Sequence, residues 1–78
     1  FMYRELVEYL VGYLVEAKDK VSVTEFQDGE KLVVRLEVAP EDMGRIIGKD
    51  GRIVKALREI IRAYSGRENK KVVLQIVE

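Results

Sequence analysis

The sequence predicts an α+β domain of order α-β-β-α-α-β, with helices packed on one face of a three-stranded sheet. Three observations carry that prediction. An apolar pattern of helical period opens the chain, two strand-like runs flank an Asp28-Gly29 turn, and a glycine-rich break at Gly48 to Gly51 separates two further helical stretches.

Tyr3 to Ala17 is expected to form the first helix. Leu6, Leu10, Tyr13, Leu14 and Ala17 recur along one face, and Tyr3, Val7, Val11 and Val15 make a second apolar row beside it. The first row is expected to lie on the sheet and the second to be either core or part of a dimer or partner surface. Gly12, inside this helix, suggests close packing, because glycine there costs about 1 kcal/mol against alanine. Val21 to Phe26 reads as a short strand. Gln27-Asp28-Gly29-Glu30 is a hairpin signal, and Lys31 to Val38 alternates, with Leu32, Val34, Leu36 and Val38 inward and Lys31, Val33, Arg35 and Glu37 outward. Pro40 suits a first helical position, followed by Glu41 and Asp42 at the positive end of the helix dipole. That helix should end near Ile47, and a longer one should run from about Gly51 to Tyr64. Ile53, Leu57, Ile60 and Ile61 mark its buried face, and Ser65-Gly66 is its expected stop, with Gly66 as a left-handed cap. Lys71 to Val77 is the last strand. Residues 1–78 are expected to form a single domain; Phe1, ahead of Met2, is expected to be a cloning remnant or a frame artefact.

Composition removes several classes of function. The chain contains no cysteine and no histidine, which excludes disulfides, thiolate metal sites, the usual zinc sites and the commonest general base. No constellation of base, nucleophile and metal ligands is legible, so neither an enzyme nor a cofactor is expected. No apolar run approaches the roughly 18 residues of a membrane span and no signal-peptide pattern is visible, so a cytoplasmic location is expected. The formal net charge is zero, yet the two halves differ. Residues 1–44 carry five bases against ten acids, and residues 45–71 carry nine bases against three acids. That asymmetry points to an anionic partner for the second half, or to charge pairing between subunits.

The glycine loop is the sharpest local signal. A P-loop needs four residues between its glycines followed by Lys-Ser/Thr, but Gly44 and Gly48 have three between them and Asp50 follows Lys49. A dinucleotide-binding fingerprint fails on spacing and on the preceding helix. Gly48-Lys49-Asp50-Gly51 joining two helices fits the loop with which a KH domain clamps the backbone of about four nucleotides. A plain helix–helix turn is the other reading of the same glycines.

Ile46-Ile47-Gly48-Lys49-Asp50-Gly51 resembles the I-I-G-x-x-G core of KH domains, and the order α-β-β-α-α-β is that of type II. More narrowly, Val38 to Ile53 resembles the KhpA family of small bacterial KH proteins, as do Glu5 to Tyr9, Val21 to Glu25 and the closing strand. The resemblance implies a cytoplasmic RNA-binding protein acting as an RNA chaperone or post-transcriptional regulator. It also implies a homodimer or a complex with a larger KhpB-like KH-domain protein, and a link to cell shape and cell wall organisation.

In this reading Gly48 and Gly51 allow close backbone approach, and Lys49 supplies a point charge for phosphate. Arg52 and Lys55 extend the basic edge and Arg45 joins it from the preceding helix. Ile47, Met43 and Val54, with Val33 and Arg35 on the strand side, are expected to hold bases in a groove. Asp50 is acidic where phosphate should lie and is expected to cap the next helix. Arg58, Arg62 and Arg67 read as a solvated face, and Tyr9, Tyr13 and Tyr64 as packing residues. With few aromatics, stacking should contribute little, and binding should be salt-dependent and sequence-tolerant. The competing expectation is a protein-interaction adaptor whose first helix and sheet edge form the working surface.

Overall fold

The computed structural model describes residues 2–77, with Lys49 described at its backbone only. The elements are α1 (Tyr3–Gly12), β1 (Ser22–Asp28), β2 (Lys31–Glu37), α2 (Pro40–Ile47), α3 (Arg52–Arg67) and β3 (Lys71–Ile76); a single 3-10 turn lies at Lys18–Lys20, and Lys49–Gly51 link α2 to α3. The sheet has the order β1-β2-β3. The Asp28-Gly29 turn pairs β1 antiparallel to β2, and the α2–α3 crossover returns the chain so that β3 runs parallel to β2. The α+β class and element order expected from the sequence are those observed.

All three helices cover one face of the sheet. Val7, Val11, Val34, Leu36 and Ile46 are fully buried there, and Val23, Val54, Leu57, Ile61 and Leu74 complete the cluster. Each fully buried aliphatic side chain stabilises the fold by about 1.5–3 kcal/mol relative to an exposed one. A core of this size therefore supports an independently folding small domain. Tyr3 anchors the start of α1 to the opposite end of the chain. Its buried hydroxyl donates to the Glu68 carboxylate beyond α3, and burial, together with that carboxylate, pushes the phenol up to about 12. The Glu25 side chain of β1 accepts the Arg4 backbone N–H at 3.1 Å, which satisfies one of the first-turn donors of α1 from the strand it packs on.

Several expectations are corrected. The first helix ends at Gly12, not Ala17. Tyr13 and Leu14 donate to carbonyls three residues back, and the Glu16 and Ala17 N–H groups leave the helical ladder for the Asp42 carboxylate at 3.1 and 2.9 Å. Gly12 is thus a terminal residue, and a methyl group there would meet nothing within 4 Å, so it marks no close packing. The two apolar rows of α1 also exchange roles. Tyr3, Val7, Val11 and Val15 form the core row, whereas Leu6 and Leu10 are half-buried and Tyr13 is exposed. Both rows are apolar, so periodicity could not fix the helix's rotation; the Tyr3–Glu68 and Glu25 contacts do. The reading of the second row as a partner surface is overturned. Tyr9 and Tyr13 are exposed and pack on each other edge to face, with hydroxyls 3.1 Å apart.

At the other end, α3 passes through Gly66 to Arg67. The left-handed residue is Asn69 (φ 57°), with the Lys70 N–H on the Ser65 carbonyl and the Asn69 N–H on the Gly66 carbonyl. This is a Schellman closure in which asparagine takes the place usual for glycine. Ser65 is buried and donates its hydroxyl to the Arg62 carbonyl, so it continues the helix that it was expected to end. Ile53 and Ile60 are only half-buried, while Val54 lies in the core.

Candidate nucleic-acid interface

Pro40 opens α2 as expected, and Asp42 three residues in is buried. The Ala17 and Glu16 N–H groups, aided by the Arg45 guanidinium, hold its carboxyl below the usual carboxylate range despite burial. This contact fixes the chain after α1 against the first turn of α2. From there α2 runs to Ile47, with Ile46 buried beneath it, and brings Gly48 to the surface.

Three left-handed residues then turn the chain into α3: Gly48 (φ 67°), Asp50 (φ 59°) and Gly51 (φ 70°). Glycine at 48 is required on two grounds. A side chain disfavours that φ, and a Cβ would sit 3.0 Å from Ile53 Cγ1. The Gly48 N–H closes α2 on the Gly44 carbonyl at 2.8 Å. Gly51 is the N-cap of α3, and no side chain caps that helix. The expected Asp50 cap is therefore absent: Asp50 stands one residue before the cap position, and its side chain is exposed. The first-turn N–H groups of this 16-residue helix, without a side-chain cap, and its positive dipole end thus lie directly after the loop.

Beside the loop an open groove of about 670 Å³ runs between α3 and β3. From the helical side it is lined by Ile47, Gly51, Val54, Lys55 and Arg58, and from β3 by Leu74 and Ile76. Of the predicted site residues, Ile47, Gly51 and Lys55 thus share one wall. Gly48, Lys49 and Asp50 lie in the loop at its end, and Arg52 is exposed on the first turn of α3. Arg45 is not brought to the groove. Its guanidinium lies 3.1 Å from Glu16, an exposed pairing worth about 0–1 kcal/mol, and 3.5 Å from the buried Asp42 carboxylate, and the two together direct it toward the loop after α1. Met43 is also elsewhere, in a recess with Val38, Pro40 and Val77. Val33 and Arg35 do line the groove, from the far side of β3.

Arg58, expected on a solvated face, belongs to the groove, where it donates to the Leu74 carbonyl at 3.3 Å. Its position three residues after Lys55 was the available signal. Asp42 gave no comparable signal, since its partners lie 25 and 26 residues earlier. Among the described residues no group of acidic side chains is arranged to hold a metal ion, and no helix is long and apolar enough to cross a membrane.

Two helices joined by a Gly-x-x-Gly turn, packed on a β1-β2-β3 sheet in the order α-β-β-α-α-β, define a KH domain of the type II arrangement. A family model described as the KH domain of KhpA/KhpB matches residues 4–76. The chain is 45% identical over 74 residues to an RNA-binding protein KhpA of Clostridium acetobutylicum, covering 95% of this chain and 99% of that protein. It is 46% identical over 74 residues to the one from Clostridium perfringens, with the same coverage. With that of Aquifex aeolicus it shares 44% identity over 75 residues, 96% of this chain and 95% of the other. The chain belongs to the KhpA/KhpB KH-domain family, which is non-enzymatic.

Proposed function

We propose that this protein binds single-stranded RNA through the Gly48–Gly51 loop and the groove beside it, and acts as an RNA chaperone or post-transcriptional regulator. The observation that carries the reading is the loop itself. Three residues at positive φ turn the chain at the N-terminus of α3, which no side chain caps, so that backbone N–H groups are available there to a sugar–phosphate backbone and Lys49 adds a positive charge to the same loop. Lys55 and Arg58 continue the cationic wall, and Ile47 and Val54 offer aliphatic surface to bases. The curated relatives are named RNA-binding proteins, which supports the same substrate class. The test is fluorescence anisotropy of labelled single-stranded RNA against wild type and Lys49→Asp. Wild-type affinity should fall about tenfold or more between about 50 and 200 mM salt, as expected for several phosphate contacts. Lys49→Asp should weaken binding at least about tenfold while circular dichroism shows an intact fold. Equal binding by both proteins moves RNA off the loop.

A second reading, assembly with a second copy or with a KhpB-like partner, is favoured by one surface. Leu6 and Leu10 of α1 and Ile60, Ala63, Tyr64 and Arg67 of α3 line a largely apolar groove of about 500 Å³ on the side of the molecule formed by the two helices. Self-association is the occupant this surface fits best, because a two-fold pairing sets α1 and α3 of one copy against α3 and α1 of the other with like apolar surface on both sides. We further propose a cytoplasmic location and a link to cell shape and cell wall organisation for either reading.

A further inference from the structure

The sheet face turned away from the helices is not uniformly polar. Phe26, Val33 and Val73 lie side by side across the three strands, and Val33 is only 6% exposed although it points away from the helical layer. In the next row, Arg35 holds its guanidinium 4.9 Å above the Phe26 ring and donates Nε to Gln75 at 2.9 Å. The result is a flat aromatic and guanidinium stack, with Phe26 still 40% exposed. β3 is an edge strand, so nothing in the sheet lies beyond it, and the groove that begins at Ile47 and Gly51 continues round β3 to Phe26 and Val33. Four cations line that continuous surface, Lys31, Arg35, Lys55 and Arg58, against one carboxylate, Asp28.

We propose that the bound RNA strand crosses the edge of β3 and places a nucleobase on the Phe26–Arg35 stack. This rests on the loop reading for the first contacts and adds a second site to it. The occupant must be polyanionic to match the cations and must carry planar apolar faces to extend the stack; a single-stranded nucleic acid meets both demands, whereas an acidic peptide meets only the first. A loop that clamps about four nucleotides leaves the outer face to a longer strand. The Phe26 ring, not aliphatic contact alone, then contributes to affinity.

The test compares labelled single-stranded RNA of about four and about eight nucleotides. Phe26→Ala and Phe26→Leu should each weaken the longer RNA about fivefold or more and leave the shorter unchanged, as expected for loss of one stacked base. Lys49→Asp should weaken both. Phe26→Trp gives a second readout, because the chain contains no tryptophan. The longer RNA should quench the introduced indole and the shorter should not. If Phe26→Ala leaves the longer RNA's affinity unchanged while Lys49→Asp reduces it, or if the indole stays unquenched with the longer RNA bound, the outer-face path is wrong and the loop reading stands. The reverse pattern, sensitivity to Phe26 with none to Lys49, retains the stack and removes the loop. A wild type that binds neither RNA overturns both.

Discussion

At the residue scale the glycines separate into those the fold needs and those it tolerates. Gly48 combines a left-handed φ with a Cβ position 3.0 Å from Ile53, whereas Gly12 ends a helix with open space around it. Gly48→Ala should therefore cost about 1–3 kcal/mol in urea unfolding, and Gly12→Ala should be neutral or stabilising by up to about 1 kcal/mol. Similar effects at both positions would remove the conformational argument for the loop. Asp42 gives a pH-dependent counterpart. Its carboxyl is depressed in the fold, mainly by the Ala17 and Glu16 N–H groups, so the stability it contributes is complete above the unfolded value of 3.8. That contribution is lost as pH falls from there through the folded value. Asp42→Asn keeps the shape but sets an NH2 against one N–H donor. The variant should melt about 5–10 °C lower at pH 7 and lose less further stability than wild type between about pH 5 and 2. Parallel pH profiles for the two proteins would show that Asp42 is not the titrating contact.

At the scale of elements, what differs from expectation is where helices stop and which way they face. The hairpin, the proline at the start of α2 and the glycine break were legible because each is a local backbone requirement written in one or two residues. The end of α1 was not, because it is set by Asp42, which is 25 residues away from Ala17. The rotation of α1 was hidden for a related reason: two adjacent apolar rows offer the sheet two faces, and the choice rests on Tyr3 with Glu68 and Arg4 with Glu25. The stop of α3 misled because Gly66 is the stronger cap residue by type, yet Asn69 closes the helix. Asn69→Gly should accordingly be neutral or slightly stabilising, and Asn69→Val should cost about 1–2 kcal/mol by thermal unfolding. Equal tolerance of both would mean that the closure contributes nothing to α3. In the candidate site, Ile47, Gly51 and Lys55 were readable from spacing beside the loop. Arg45 was misplaced because its partners, Glu16 and Asp42, meet it only in the folded chain.

For the whole molecule, the division of charge and of apolar surface gives the two working faces different physics. The basic second half meets the solvent along the loop, α3 and the edge of β3, while the α1–α3 surface is largely apolar, with Arg67 the charged residue of its lining. Assembly through the latter should be insensitive to salt, and RNA binding through the former should not. Leu10→Asp should shift the mass measured by light scattering to that of the 9.0 kDa monomer at all salt concentrations, without loss of RNA affinity. Dissociation by salt alone would instead indicate pairing between the acidic and basic halves. The measurement that bears most directly on the central claim is an amide chemical-shift titration of the isotope-labelled protein with single-stranded RNA. The account predicts shifts concentrated from Gly48 to Lys55 and along Leu74 to Ile76, with the α1–α3 surface unmoved. Shifts confined to α1 and the exposed side of α3, with Gly48 to Gly51 silent, would contradict it.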